Sequence, residues 1–177
     1  TITSISGGSN DTLSTGTVSH PYYVGQPITF ASTTNGLTSG TTYYVVEIGN
    51  DGSVVSTRNN TFKISSTGGR VSVTSNLTAG SGYGTSNGTN IATQGGSGTG
   101  LTVNTTVDSG TIIAVTINQP GNGYKVGDII TVGASGSYTV PSIFTVAAIT
   151  NGSVITGLTP GTGLSISCTS RIGNAYG

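Results

Sequence analysis

Short strand-like runs that recur about every ten residues constrain the fold of this chain more than any other feature. Each run is rich in β-branched or aromatic residues and is bounded by Gly, Asn, Asp or Pro, which favour turns. No stretch repeats apolar residues at the spacing of an amphipathic helix. The sequence therefore predicts an all-β protein with less than about a tenth of its residues in helix. The predicted strands are Pro27 to Ala31, Thr42 to Ile48, Ser53 to Ser56, Thr61 to Ser65, Val71 to Thr74, Leu101 to Val107, Thr111 to Ile117, Asp128 to Val132, Ser142 to Ile149 and Leu164 to Cys168.

Composition narrows the function classes. Gly, Ser and Thr make 87 of the 177 residues, whereas charged residues make only 6% and the formal net charge is zero. Without a basic surplus the chain cannot neutralise phosphates, so we expect no nucleic-acid partner. No run of about 18 apolar residues occurs, so we expect no membrane insertion. The hydrophobic share of 33%, rich in Val and Ile, is enough for a thin core.

Turn chemistry predicts three hairpins. The first has Asn50-Asp51-Gly52 at its tip, the second Asp108-Ser109-Gly110 and the third Asn151-Gly152. Asn, Asp and Gly suit the turns with positive φ that match the twist of paired strands. Adjacent antiparallel strands are therefore the expected arrangement.

Internal repeats indicate a modular chain. GLTSGT at 36–41 recurs as GLTPGT at 157–162, and GSGY at 80–83 recurs as GNGY at 121–124. VGQP at 24–27 is related to the segment that follows the second GxGY. These repeats predict tandem small β-sandwich or barrel-like modules joined by Gly/Ser-rich loops. The predicted modules are residues 1–78 and 79–177, with the glycine-rich stretch from Ala79 to Gly100 as the boundary or a long loop.

Two sets of residues resemble bacteriophage proteins. VGQPITF at 24–30, LTSGTTYYV at 37–45 and TFKIS at 61–65 resemble a module of phage tail and fibre proteins, although Gln26 stands where Asp is commoner. The second half, with GGSGTGLTVN at 95–104 and GNGYKVGDIITV at 121–132, is similar to a repeat in virion proteins of phages, particularly those that infect marine cyanobacteria. This resemblance implies a structural role and assigns no catalytic residue.

A second resemblance competes with the first. The segment from Leu37 to Val46 is similar to the GLxPGTxYxV strand of fibronectin type III modules, with Tyr43 or Tyr44 at the position of a tyrosine corner. No Trp precedes it, and the Pro-rich opening typical of such modules is missing.

Candidate catalytic residues are few and scattered. His20 is the single histidine, and its nearest polar candidates are Asp11 and Ser14, with Tyr22 close by. A lone histidine beside Pro21 predicts a structural role, because a triad needs three placed groups.

The five carboxylates are Asp11, Glu47, Asp51, Asp108 and Asp128. Asp11, Asp51 and Asp108 lie in turn-like segments where the side chain bonds local backbone. Glu47 and Asp128 are the least improbable glycosidase pair, since both adjoin strands. The prediction is no catalytic residue and no enzyme.

No metal or cofactor site is predicted. One histidine and one cysteine cannot form a zinc site, and no loop is dense in carboxylates. The glycines from Gly95 to Gly100 lack the Lys-Ser/Thr and the following helix of a phosphate loop. Cys168 has no cysteine to pair with and is expected to be a small buried hydrophobe.

The bulky side chains are mainly tyrosines. Most are expected to fill cores, although exposed ones would provide stacking platforms for sugars. The positions are Tyr22, Tyr23, Tyr43, Tyr44, Tyr83, Tyr124, Tyr138 and Tyr176.

Taken together, these features predict a structural virion protein of a bacteriophage, in the tail, fibre, neck or capsid surface. Its expected partners are copies of itself and other virion proteins, because few Lys and Arg are available to protect sheet edges from pairing. The alternative is an adhesive module that binds host-surface glycans through tyrosines.

Overall fold

Every regular element that the structure describes is a β-strand, which confirms the all-β prediction. The structure is a computed structural model and describes residues 2–6, 11–16, 20–49, 60–133 and 138–168. The strands are β1 (Ser4–Ser6), β2 (Thr12–Ser14), β3 (Pro27–Phe30), β4 (Thr42–Gly49), β5 (Thr61–Ser65), β6 (Arg70–Thr78), β7 (Gly88–Gly95), β8 (Thr99–Asp108), β9 (Thr111–Asn122), β10 (Ile129–Val132), β11 (Ile143–Thr150) and β12 (Ile166–Cys168).

The chain forms two compact units whose limits differ from the predicted modules of 1–78 and 79–177. Unit 1 comprises Thr1–Gly68 together with Asn151–Gly177, and unit 2 comprises Gly69–Thr150. The predicted boundary is wrong because β6 pairs with β11, which keeps it in unit 2. The end of the chain then returns to unit 1, where β12 pairs with β3.

Unit 1 is a six-stranded antiparallel sheet in the order β1-β2-β5-β4-β3-β12. Bridges from Ile2 to Leu164 and from Ile5 to Gly161 connect its first edge to the segment that leads into β12. The sheet therefore curls around one apolar core. Its buried residues are Ile2, Ile5, Leu13, Ile28, Phe30, Leu37, Tyr43, Val45, Phe62, Ile64, Leu158 and Leu164.

Unit 2 is a six-stranded antiparallel sheet in the order β6-β11-β10-β7-β8-β9. The two end strands of this order, β6 and β9, lie beside each other, so this sheet also curls. In β8 and β10 alternate residues point inward and fill the core, whereas β6 and β9, which contain register shifts, alternate only in part. The buried residues are Val71, Leu101, Val103, Ile112, Tyr124, Ile130, Val132, Phe144 and Val146.

One of the three predicted hairpins is confirmed. Asp108 pairs with Thr111, and the two residues between them have positive φ, 49° at Ser109 and 80° at Gly110. The hairpin with Asn50-Asp51-Gly52 lies outside the described residues. The third hairpin is wrong, because residues 153–160 form no strand; instead Gly152 N–H donates to Thr67 O over 3.0 Å.

The predicted loop from Ala79 to Gly100 contains a strand. Strand β7 pairs with β8 on one side and with β10 on the other. Its sequence, GTNIATQG, has one β-branched aliphatic residue and resembles a loop, so its strand conformation depends on ladders with sequence-distant partners.

The repeats do not mark one module each. Both copies of GLTxGT lie in unit 1, and they contact each other. Asn35 Nδ2 donates to Thr159 O over 3.0 Å, and a Cβ atom at Gly36 would lie 3.3 Å from Leu158 Cδ2. Both copies of GxGY lie in unit 2. The interpretation of these two repeats as tandem modules is therefore wrong.

The hairpin tip provides a stability test. We expect Gly110→Val to destabilise the protein by about 1 kcal/mol or more, because a β-branched residue resists positive φ. Steric overlap is not the cause, since a Cβ there would meet only Gly84 O at 3.5 Å. Ser109→Asn is the control and should leave the denaturation midpoint unchanged or raise it, because Asn tolerates positive φ. An unchanged midpoint for Gly110→Val would contradict the turn geometry.

Candidate functional site

The segment from Gly123 to Asp128 forms the turn between β9 and β10 in unit 2. Asp128 is buried, and its Oδ2 atom accepts three hydrogen bonds: from Ser97 N at 2.9 Å, Ser97 Oγ at 2.6 Å and Lys125 N at 3.1 Å. Ser97 Oγ also lies 3.0 Å from Gly123 O. A single carboxylate therefore ties the loop between β7 and β8 to the turn before β10.

Glycines create the space for the tyrosine of this turn. Tyr124 is 2% exposed, and Cβ atoms at Gly98 and Gly121 would overlap its ring. Main-chain Gly69 O accepts a hydrogen bond from Tyr124 N at 3.0 Å. Gly98 of the GGSGTG segment and Gly121 of the GNGY segment are therefore both required for packing around the ring of Tyr124.

Unit 1 contains a turn with the same hydrogen bonds. Tyr23 N–H donates to Gln26 Oε1 at 3.1 Å, as Lys125 N–H donates to Asp128 Oδ2. Gly25 N–H then donates to Val45 O at 2.7 Å, and Gly127 N–H donates to Val146 O at 2.9 Å. This turn, unlike the other repeats, occurs once in each unit. The side-chain oxygen at its fourth position is the shared feature, so Gln26 can replace the commoner Asp.

We expect the Asp128 carboxylate to stabilise the fold mainly as a hydrogen-bond acceptor and less through its charge. Asp128→Ala should destabilise the protein by about 3 kcal/mol, because two amides and a hydroxyl lose their acceptor. Asp128→Asn keeps an acceptor oxygen, as Gln26 does in unit 1, and should cost less than about half of that. Chemical denaturation of the two variants beside the wild type is the measurement. Equal losses for both would contradict this role.

His20 has a structural environment. It is buried, its Nε2 atom lies 3.1 Å from Thr61 O, and its Nδ1 atom accepts from Tyr22 N at 3.3 Å. These bonds assign the neutral ring with its proton on Nε2. The ring also stacks on Tyr22 at 4.9 Å and meets Phe62 edge-on at 5.2 Å. The two nitrogens therefore bond main-chain groups and hold the segment before β3 against β5.

The carboxylates that the structure describes have different environments. Asp11 is fully buried, and Leu158 N–H donates to its Oδ2 atom, so the prediction that it bonds local backbone is wrong. Among the described residues its Oδ1 atom has no hydrogen-bond partner. Asp108 Oδ1 accepts from the Ser109 Oγ side chain at the hairpin tip, a local bond but not the predicted one to backbone, and Asp51 lies outside the described residues. Glu47 is in unit 1 and Asp128 in unit 2, each with partners of its own unit.

A hydroxyl-lined groove of about 390 Å³ lies on the outer sheet face of unit 1. Glu47 Oε1 and Lys63 Nζ form an ion pair of 2.8 Å there, on neighbouring strands β4 and β5. The hydroxyls come from β1, β2 and β5: Ser4, Ser6, Thr12, Ser14 and Thr61. Sequence reasoning missed β1 and β2, although Ser-Ile-Ser and Thr-Leu-Ser each alternate polar and apolar residues around one buried aliphatic side chain.

The tyrosines pack rather than form platforms. None of the seven that the structure describes is fully exposed, and Tyr43 and Tyr124 are buried. Tyr43 OH accepts from Thr38 N at 3.0 Å, the bond of a tyrosine corner. Tyr83 OH accepts from Ser142 N at 2.6 Å and donates to Val132 O at 3.1 Å. Tyr176 lies outside the described residues.

The remaining candidates have structural places. Residues Gly95 to Gly100 connect β7 to β8, and a strand follows where a phosphate loop has a helix. Cys168 ends β12. Within the described ranges, no group of three or more His, Cys, Asp or Glu side chains could hold a metal ion. The search of the same residues found no helix that is long and apolar enough to span a membrane.

Alkaline pH is expected to destabilise the fold through the tyrosines. Burial raises the pKa of Tyr124 above its usual value near 10, against opposing hydrogen bonds with Leu101 and Thr93, and burial also raises the pKa values of Tyr44 and Tyr83. Because the folded-state values exceed the unfolded ones, stability is fully present below pH about 10 and falls as pH rises through the folded-state values.

Denaturation midpoints measured from neutral pH to about 11 test this expectation, with tyrosinate absorbance as the titration signal. Tyr124→Phe should be less stable at neutral pH, since it loses the hydroxyl, but should decline less steeply above pH about 10. Stability that increases above that pH would contradict the prediction.

Comparisons of this chain with protein-family models, curated proteins and solved structures found no match.

Proposed function

We propose that this chain is a structural, non-catalytic component of a bacteriophage particle, located in the tail, fibre, neck or capsid surface. Its action is protein–protein assembly with copies of itself and with other virion proteins. The resemblance of the sequence motifs to those of phage tail and virion proteins supports the phage assignment, and the geometry of the two units supports the assembly role.

The observation that carries the proposal is that the side-chain oxygens of the repeated turns bond main-chain amides of the protein itself. Asp128 and Gln26 accept hydrogen bonds from main-chain amides, so the motifs stiffen turns. What the sheets offer to a partner is short hydroxyl side chains in register with exposed aliphatic ones, such as Thr145 and Ser75 beside Ile129, which is 61% exposed. Small side chains lose little rotamer freedom when an interface orders them.

Low charge favours the same function. The formal net charge is zero, so packed copies do not repel one another electrostatically. An assembly protein also needs rigid surfaces, because ordering a flexible one would reduce its affinity.

Two measurements test the proposal. Sedimentation velocity of the purified chain at micromolar concentration should show self-association. Antibodies raised against the chain should label intact particles of the phage that carries its gene. A chain that stays monomeric and an antibody that labels no particle would together overturn the proposal.

A second candidate function, glycan adhesion, is favoured by the hydroxyl-lined groove of unit 1. Glu47 can accept hydrogen bonds from sugar hydroxyls and Lys63 can donate them, beside the hydroxyls of β1 and β2. Such a site would bind sugars by hydrogen bonds, since Phe62, the aromatic residue lining the groove, is 1% exposed.

A glycan array separates the two functions. If adhesion is correct, the wild type binds a defined set of glycans, and Glu47→Gln reduces binding by about tenfold or more, because a carboxylate forms stronger hydrogen bonds than an amide. Thr42→Val, on the same strand but outside the groove, is the control and should bind normally. Absence of binding to any glycan would remove this candidate and leave the assembly role.

A further inference from the structure

Unit 2 has two dissimilar ends, defined by the direction of β10. At the start of β10, the turn Lys125-Val126-Gly127 carries Val126, which is 60% exposed. Lys125 and Arg70 are also exposed at this end. Arg70 lies there because Tyr124 N–H donates to Gly69 O, which places the start of β6 beside the turn. We call the Val126 side chain the apolar knob.

The apolar knob is held by a fixed backbone. Lys125 N–H donates to Asp128 Oδ2 at 3.1 Å, and Asp128 N–H donates back to Lys125 O at 3.2 Å. Gly127 N–H is bonded to Val146 O at 2.9 Å. An apolar side chain on so constrained a turn loses little additional freedom when a partner covers it.

The opposite end of unit 2 contains an apolar pocket of about 420 Å³. Val107, Ile112 and Val132 line it, at the end of β8, the start of β9 and the end of β10. Ser86 is exposed at its rim. The four residues of β10 separate the apolar knob from the pocket by at least about 10 Å.

Charge is distributed between the same two ends. Asp108 is exposed at the hairpin tip, next to pocket residue Val107, whereas Lys125 and Arg70 are exposed at the end with the apolar knob. Unit 2 has one more charged residue, Asp128, and this carboxylate is buried in its hydrogen bonds. The accessible charges are therefore positive beside the apolar knob and negative beside the pocket.

We propose that the apolar knob of one copy docks into the pocket of a second copy, so that unit 2 of successive copies associates head to tail. Apolar surface meets apolar surface, and Lys125 of one copy faces Asp108 of the next. The contact is heterologous, since the two surfaces differ, and repetition of it builds a ring or an open filament. This inference rests on the proposed assembly function and names its partner and its surfaces.

The primary test blocks each surface separately in the full chain. Val126→Lys removes the apolar knob and Ser86→Arg obstructs the pocket, and each should weaken self-association at least about tenfold, because a long polar side chain replaces or blocks the apolar contact. Val73→Lys is the matched control, a valine that is 51% exposed on β6 and does not line this pocket. It should associate like the wild type, and thermal unfolding of all three variants confirms that they fold.

Mixing the two blocked variants distinguishes this contact from any other. Val126→Lys retains an intact pocket, and Ser86→Arg retains an intact apolar knob. A head-to-tail contact therefore predicts that the mixture forms one-to-one pairs that do not grow further. Native mass spectrometry with one variant isotopically labelled measures these pairs.

A charge exchange provides an independent measurement. Lys125→Glu should slow association at low salt, and the double variant Lys125→Glu/Asp108→Lys should restore it, because the reversed charges face each other again. The exchange leaves the apolar surfaces unchanged.

The outcomes separate this inference from the proposed function. If the wild type associates but both blocked variants associate equally well, or their mixture forms no pairs, the head-to-tail contact is overturned and the assembly role stands. If the wild type does not associate at all at micromolar concentration, this contact fails too. In that case particle labelling alone decides the proposed function.

Discussion

The structure depends on side-chain oxygens that accept hydrogen bonds from the main chain of tight turns. Removing a carboxylate from water costs several kcal/mol, and Asp128 offsets that cost with three donors, two of them main-chain amides. Because those donors belong to separate loops, one side chain fixes the end of the unit 2 sheet. Gln26 makes the equivalent bond in unit 1 without a charge.

The burial of carboxylates stands out because charged residues make only 6% of the chain. Of the five acidic residues, Asp11 and Asp128 are buried, so the chain uses part of its small charge inventory inside. Apart from the Glu47–Lys63 pair, the outer sheet faces carry mainly uncharged side chains: Ser, Thr, Asn, Gln and aliphatic residues. Such faces suit contact with another protein surface more than chemistry on a small molecule.

The sequence was informative where local chemistry decides the conformation. β-branched runs predicted most strands, and Asp108-Ser109-Gly110 predicted a hairpin, since both features depend on neighbouring residues alone. Strand β7 was missed because its ladders, rather than its own residues, hold it extended.

The modular interpretation failed for a related reason. Similar strings recur where similar turns are needed, and two such turns can belong to one unit, as the GLTxGT segments do. The partner of Asp11, 147 residues away, could not be read from any local pattern. The motif around Asp128 was recognised, but its role as a hydrogen-bond acceptor required the positions of Ser97 and Lys125.

The return of the chain to unit 1 has a consequence for folding during synthesis. Unit 2 is continuous from Gly69 to Thr150, whereas unit 1 needs Leu158, Leu164 and β12 to complete its core. A ribosome therefore releases all of unit 2 before the last strand of unit 1 exists. Unit 1 must then close a loop of roughly eighty residues. Once unit 2 has folded, the pairing of Arg70 with Thr150 holds the two ends of this loop together and lowers the entropy cost of closing it. Folding of unit 2 thus favours the later closure of unit 1, whose two segments flank it in sequence.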